Sequence, residues 1–596
     1  MSTITFPKIS EGGVPDPVQN PISAYMWADA KRNAKDAESR ARPLIRLWDK
    51  DMKFIGRIGG EKSVDIETRL HDTGTGSIVL RGSDWINKFL RTDVRSNDDL
   101  NITVDPYPNN RNWRWRWGGK VTAVRNVRTE KGLHELHFDV AENREHWKHL
   151  YFAATPWCAP EFQPLKAWVL PGNTRTIVAV TGFVNLARIF YPPLGVIDNF
   201  VNPGAWLKPL TDGRLWSPLG WPIQMQFVNP LTDISRFSVL ASRWSSAHDT
   251  TEGMLKDAGC NVRAYTWLTE DEDSPHPELA ALIGQEAARP SRNCIVLAVE
   301  DQSGVVGLTG TAIDGAVNLV AATADDLISE ILYEFRDADA IDPRTGKNVP
   351  PYVRDFLGIA PIKPSIVFRD SLDQSPIKSS ERAIFKSKAK SILAGGKSPG
   401  WVNQLQTFGI KYGLSFIQVT QAGVYAFGTG GATGPAPIGS GIEESYQGQF
   451  DNMLLAFMRN TDPMREIAAG DMGYLEYFTQ EGGGTAYTIS SALTLRQGHW
   501  KTRPYQSFKV SIWNRRLYQV YYDFDLGTRA LFEIDGLLYT DQFTAIRMHY
   551  DESTPKTFEV TIGTGSEQEN PMGQAVRTLQ TMWSAIGTLF GSNDLF

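Results

Sequence analysis

The spacing of apolar positions changes several times along the chain, and each change predicts a different kind of element. Residues 1–43 are rich in Pro and Gly and then in charge, which predicts an extended N-terminal arm followed by a short helix near "MWADAKRNAKDAESRAR". From Leu44 apolar and polar residues alternate with a period of two. "LIRLWDKDMKFIGRIGG" predicts strands flanking an Asp-Lys-Asp-Met turn, and "SVDIETRLHDTGTGSIVLRG" predicts two more around Gly-Thr-Gly. "KVTAVRNVRTEKGLHELHFDVAEN" predicts a hairpin turning at Thr129 to Gly132. Residues 44–150 are therefore expected to form an antiparallel β unit, most simply a small barrel or sandwich.

Within that unit, "RNWRWRWGGK" (Arg111 to Lys120) sets tryptophans and arginines one residue apart. Read as a strand, it places Trp113, Trp115 and Trp117 on one face and Arg114 and Arg116 on the other. A buried Trp removes roughly 150–250 Å² from water. At about 25 cal/mol per Å² that is on the order of 4–6 kcal/mol each, as an upper estimate. The tryptophans are therefore expected in the core rather than on an exposed stacking platform for bases or sugars. The arginine face is expected in water or in a subunit interface.

Residues 151–225 read as a helical and irregular connector rich in Trp and Pro, and residues 226–340 as an α/β module. In the latter, "SSAHDTTEGMLKDAG" is a capped helix ending at Gly259, and "CNVRAYTWL" and "NCIVLAVED" are strands separated by the acidic loop "TEDEDSPHPEL". A further helix starts at Thr323, with Leu327, Ile328, Ile331, Leu332 and Phe335 as its apolar stripe. Residues 341–484 are expected to be a helical segment, with two helices over "SSERAIFKSKAKSILAGGKSPGWVNQLQTFGIKYG" and a Gly-rich loop at Gly428, Gly430, Gly431, Gly434, Gly439 and Gly441. β character returns over 485–563. In 564–596 a C-terminal amphipathic helix carries Val576, Leu579, Trp583, Ile586 and Phe590.

Composition narrows the function classes. The chain has 596 residues, too many for one core, and a net charge of -6, which argues against a general nucleic-acid binder. Its three cysteines, Cys158, Cys260 and Cys294, are few and scattered, so no disulfide framework is expected. The N-terminal stretch shows no basic region followed by an apolar one, so no secretory leader is expected. The longest apolar tract is broken by Asn185, Arg188 and a Pro pair, which is not the pattern of a membrane span.

No motif supplies chemistry. The Gly-rich loop lacks the Lys-Ser/Thr of a phosphate loop and reads as a mobile loop. His134 and His137 would project to opposite faces of a strand, and His146 and His149 are a weak ligand pair that reads as ordinary surface histidines. Cys294 reads as a small buried hydrophobe. The acids Glu270 to Asp273 lack the spacing of a calcium loop and read as solvated, and Lys386, Lys388, Lys390 and Lys397 read as a wet helix face. No catalytic, metal or cofactor site is assigned, and the chain is not expected to be an enzyme.

The order of the motifs is more informative than any one of them. "LIRLWDKDMKFIGRIGGEKSVDIETRLHDTGTGSIVL", "HDTTEGMLKDAGCNVRAYTWL", "GGKSPGWVNQLQTFGIKYG" and "RQGHWKTRPYQSFKV" follow in a sequence that resembles minor tail proteins, or baseplate-hub proteins, of long-tailed phages infecting actinobacteria. The resemblance runs from about Leu44 to Gly563. It implies a β-rich, multidomain α+β chain with two small antiparallel β-barrel tube-type domains near its ends, flanking central mixed α/β modules. It further implies a homotrimer that presents six barrels to a six-fold tail tube and closes the tube at the tail tip. Such a hub joins the tube to the distal tail protein and to other minor tail proteins or fibres. It opens for the tape-measure protein and DNA, and contact with the host envelope is compatible with that position. Assembly in host cytoplasm is expected.

Where the family's usual Gly-Asp follows the "YDFDLG" strand, this chain has Gly527-Thr528, so no role for that acid is carried over. The stripe Val576, Leu579, Trp583, Ile586 and Phe590 is a candidate interface with a neighbouring tail protein or chain, or packs on its own body, and the Gly428–Gly441 loop is a candidate lumen or gate element or a plain surface loop. A tail-associated cell-wall hydrolase and a carbohydrate- or receptor-binding tail protein are the alternatives.

Overall fold

The computed structural model describes residues 21–81, 98–128, 134–198, 212–304, 366–369, 377–386, 388–395, 457–461, 463–478, 505–512, 518–534, 537–553 and 555–562, with a few isolated positions between them. Met1–Glu381 and Phe508–Gly565 contribute to one compact unit, and Arg382–Ser507 to a second.

The first unit is organised by an antiparallel sheet. Its N-terminal strands are β1 (Leu44–Trp48), β2 (Phe54–Ile58), β3 (Glu61–Arg69), β4 (Thr75–Arg81), β5 (Asn101–Asp105), β6 (Trp117–Arg128) and β7 (His134–Glu142). The tight turn between β1 and β2 is as expected, with Met52 in the left-handed region and the Asp49 side chain accepting from the amides of Asp51 and Lys53. Strict alternation buries Val64 and Ile66 of β3, Ile78 and Leu80 of β4, and Phe138 and Val140 of β7 on one face. The turn after β3 is shifted from the expected Gly-Thr-Gly, because Thr75 and Gly76 already belong to β4.

The two β regions, expected as separate barrels at the two ends, are continuous. Strand Leu537–Asp551 pairs with Thr557–Ile562 on one side and with β3 on the other, in register from Ala545 with Arg69 to Asp551 with Ser63. The path then runs β3-β4-β7-β6-β5-β1-β2. Among the described residues no sheet closes on itself. An unpaired β3 would leave a nine-residue edge of donors and acceptors. Its partner alternates in phase, burying Phe543, Ile546 and Met548 in the same core as Val64 and Ile66.

The tryptophan-rich stretch is core, as expected, but only its end is a strand. Asn112 bends the chain: its side chain accepts from the Arg114 amide at 2.9 Å, and its carbonyl accepts from the amides of Trp115 and Arg116 at 3.1 Å each. Trp113 to Trp115 therefore form a turn, and the rings separate. Trp113 meets Tyr265 edge-on at 5.0 Å, Trp115 leans on Tyr522 at 4.9 Å, and Trp117 enters the sheet core. A Cβ on Gly76 would come within 2.6 Å of the Trp117 ring, so that glycine makes its seat. Arg116, expected on a wet or interfacial face, is buried.

Beside the sheet stands an α/β layer. Strand Cys260–Trp267 pairs antiparallel with Cys294–Asp301, which pairs parallel with Ile223–Met225. Helix Ala247–Ala258 has Ser246 as N-cap, accepting from the Asp249 amide at 3.0 Å, and ends at Gly259 with φ +66°. Helix Thr174–Phe190 shares this core: Ile177, Val178 and Leu186 pack with Met225, Leu255, Val262 and Val299. It breaks at Tyr191 into Pro192–Asp198 with a bend of 77°, and no single helix among the described residues is long and apolar enough to cross a membrane.

In the second unit, strand Ser391–Gly395 lies between Phe457–Thr461, antiparallel, and Glu476–Phe478, parallel. This overturns the first of the two helices expected over this region. Ile377–Phe385 and Ser391–Gly395 are strands, and Lys386, Lys388 and Lys390 lie on the link between them rather than on a helix. Backbone pairing on both sides of Ser391–Gly395 outweighs its helical spacing. The second of those helices, and the one starting at Thr323, lie outside the described residues.

Candidate functional site

The most highly organised chemistry on the chain is the joint between the sheet and the α/β layer. Arg116, at the mouth of β6, donates from Nε to Asp105 at 2.8 Å and forks onto Asp271 at 2.6 and 2.9 Å. It also donates to the Thr266 carbonyl at 3.2 Å. Arg46 of β1 bonds the other oxygen of Asp105 at 2.6 Å and reaches Glu270 at 2.5 Å, and Arg111 adds a bond to Glu270 at 3.1 Å. Burial works against the Arg116 charge, but the bonds to Asp271 and the adjacent Asp105 carboxylate hold its pKa above the ordinary value. The acidic loop expected to be solvated is only partly so. Asp271 is buried because Arg116 needs a second carboxylate, and its side chain also takes the Leu268 amide at 2.8 Å.

A second set of contacts joins the same layer to the C-terminal part of the sheet. Arg263 pairs with Asp525 at 2.6 Å, and Gln302 donates to the Leu526 carbonyl at 2.9 Å. Gly527, at φ +82°, lies so close to Gln302 that a Cβ there would sit 1.7 Å from its Oε1. The neighbouring Thr528 accepts the Asp525 amide through its hydroxyl at 3.1 Å.

Between these two sets lies a polar cavity of about 20 Å³, room for a single water, lined by Thr68, Glu142, Arg263, Tyr265 and Tyr521 among others. Glu142 is buried and accepts the Gly74 amide at 2.8 Å. Burial raises its carboxyl to about 7, against the Gly74 bond and the charges of Arg144 and Arg263. An acid whose folded pKa lies above its unfolded value of 4.5 favours the fold while protonated. That contribution is complete below pH 4.5 and is lost as pH rises toward 7, a penalty of about 3 kcal/mol above pH 7. Glu142→Gln keeps an acceptor for Gly74. It is expected to leave stability unchanged near pH 4 and to raise it progressively up to pH 7, in urea unfolding at a series of pH values. A stability difference independent of pH would show that Glu142 is ionised throughout.

The joint fixes elements to one another. His146 lies on the four-residue helix Glu145–Lys148 and His149 follows it as the C-cap, and among the described residues no group of His, Cys, Asp and Glu is arranged to hold a metal. His146 is half-buried rather than a plain surface histidine, and burial lowers it to about 4. Burial also raises the thiols of Cys260 and Cys294. The candidate interface residues Val576, Leu579, Trp583, Ile586 and Phe590 lie outside the described residues. So do Gly428, Gly430, Gly431, Gly434, Gly439 and Gly441.

The joint itself was not found from sequence. Its members lie far apart in the chain, and the available hint, an Asp closing the apolar run "NITVD", is weak.

Comparison with known proteins gives a consistent relationship. The chain is 24% identical over 597 residues to the minor tail protein Gp28 of Mycobacterium phage L5, covering 94% of this chain and 96% of that one. It is 24% identical over 599 residues to minor tail protein Gp28 of Mycobacterium phage D29, with the same coverage. Among solved structures, the prophage tail protein gp18 from Listeria monocytogenes EGD-e aligns over 90% of this chain and 99% of that one, at 10% identity and a TM-score of 0.34. Residues 44–564 match the model of one protein family, nearly the span over which the ordered motifs carry their resemblance. The chain belongs to the family of siphovirus ReqiPepy6 Gp37-like proteins.

Proposed function

We propose that the chain is a structural minor tail protein of a siphovirus, without enzymatic activity, and that it serves as the baseplate hub at the tail tip. Its relatives in the Mycobacterium phages carry the name of minor tail proteins over nearly their whole length. The observation that carries the finer reading is the continuous sheet: two β regions almost five hundred residues apart pair edge to edge through Ser63–Arg69 and Ala545–Asp551.

In this reading the two halves are the tube-type β units, held side by side. Three copies then offer six such units to a six-fold tail tube. The N-terminal arm (1–43) and the C-terminal helix (564–596), with Val576, Leu579, Trp583, Ile586 and Phe590, make contacts to neighbouring chains, the distal tail protein or fibres. The Gly428–Gly441 loop borders the lumen, through which the tape-measure protein and DNA pass. The buried ionic joint suits such a part, because it keeps the α/β layer fixed against the sheet under load.

Mass photometry of the purified chain, with negative-stain images of the same sample, tests this. The expected result is a species of three chains and a three-fold ring, alone or after addition of tail tube. A chain that stays monomeric in both conditions sinks the hub assignment while leaving the structural tail role.

A further inference from the structure

The second unit carries an apolar surface that nothing described so far uses. Between helix Pro463–Ala469 and strand Glu476–Phe478 the chain makes a tight turn, with Gly470 at φ +61° and the Gly473 amide donating to the Gly470 carbonyl. This turn holds Met472 97% exposed, Tyr474 78% and Leu475 68%, and Ile467 on the adjoining helix is 79% exposed. Soluble surfaces scatter single apolar residues but rarely gather several large ones on one projecting turn.

A basic row lies directly beside it. The Lys390 amide donates to the Tyr474 carbonyl at 3.0 Å, and the Ser391 amide to the Leu475 carbonyl at 3.1 Å. The Lys390 stem passes over Gly473, where a Cβ would come within 2.8 Å of its Cε. Lys386 and Lys388 are exposed on the same link, at alternate positions. The acids nearby are Glu466, Asp471 and Glu476, the last paired with Arg459 at 3.1 Å.

We infer that this turn is a docking surface for an anionic phospholipid bilayer. Met472, Tyr474 and Leu475 enter the boundary between headgroups and acyl chains, and the lysines meet the phosphates at its edge. Met472 is almost wholly clear of its own chain, and the lysine link is bonded along the flank of the turn, so apolar and basic groups are offered together. Asp471, exposed at the turn, keeps the insertion shallow. The inference concerns the second unit alone and does not require the hub arrangement.

The test is co-sedimentation of the full chain with vesicles of phosphatidylcholine mixed with phosphatidylglycerol, and with phosphatidylcholine alone. The expected result is binding to the anionic vesicles that weakens with added salt. The triple variant Met472→Ser, Tyr474→Ser, Leu475→Ser is expected to bind roughly tenfold or more weakly. Its thermal midpoint should be unchanged, because the removed side chains are exposed. Unaltered binding by the variant, or no binding by the parent chain, overturns the inference. A variant that instead changes the oligomeric mass assigns the turn to a protein contact and overturns the lipid assignment. A chain that stays monomeric both alone and with added tail tube, yet binds vesicles, would sink the hub reading and leave this one standing.

Discussion

Arg116→Met is expected to destabilise the first unit by about 3–5 kcal/mol, because it leaves Asp271 buried without its cation and Asp105 with one of its two. The Arg116 side chain is fully buried, and those of Asp105 and Asp271 are nearly so. Arg46 retains one bond to Asp105, but nothing replaces the fork onto Asp271. Arg116→Lys is expected to recover only part of the loss, since one ammonium does not span both acids in the geometry of a guanidinium. Urea unfolding followed by near-ultraviolet circular dichroism measures the difference. Adding Asp271→Asn to Arg116→Met should return part of it, by removing one uncompensated charge. A loss under about 1 kcal/mol for Arg116→Met would place the strength of the joint elsewhere.

Trp147→Ala is the second change expected to be severe, at about 3–5 kcal/mol. The ring is fully buried, donates from Nε1 to the Thr251 hydroxyl at 3.1 Å, and meets Phe152 edge-on at 5.6 Å. It lies on helix Glu145–Lys148, directly after β7, and packs into the core that helix Thr174–Phe190 shares with the α/β strands. Its loss should therefore loosen the α/β layer more than the sheet. Hydrogen exchange is expected to accelerate over residues 174–190 and 247–267 and to change little in β3 and β4. Equal acceleration in both would mean that the two cores unfold together.

Local features were legible in the sequence wherever the physics was local. The period of two from Leu44 fixed which side chains of β3, β4 and β7 face the core, and Ser246 and Gly259 marked the ends of their helix. The burial of Trp113 and Trp117 followed the expectation from their size and from the alternation around them. The order of the motifs along the chain was enough to find the family.

What the sequence did not settle depends on contacts between distant residues. Alternation says which face of a strand is buried but not which strand it pairs with, so the union of β3 with Leu537–Asp551 was invisible. An arginine in alternation with tryptophans reads as solvent-facing until a second carboxylate, 155 positions away, is brought to it. The extended lysine link has the same origin: its local preference is weak, and the distant carbonyls of Thr502 and Tyr474 take the Lys388 and Lys390 amides. The bend at Asn112, by contrast, is local, set by its own side chain and carbonyl. Sequence thus determined the strands of the N-terminal sheet, the helix Ala247–Ala258 and the inward faces of β3, β4 and β7. Tertiary structure decided the pairings and the ionic joint, because edge donors and buried charges are satisfied only by groups that the fold delivers.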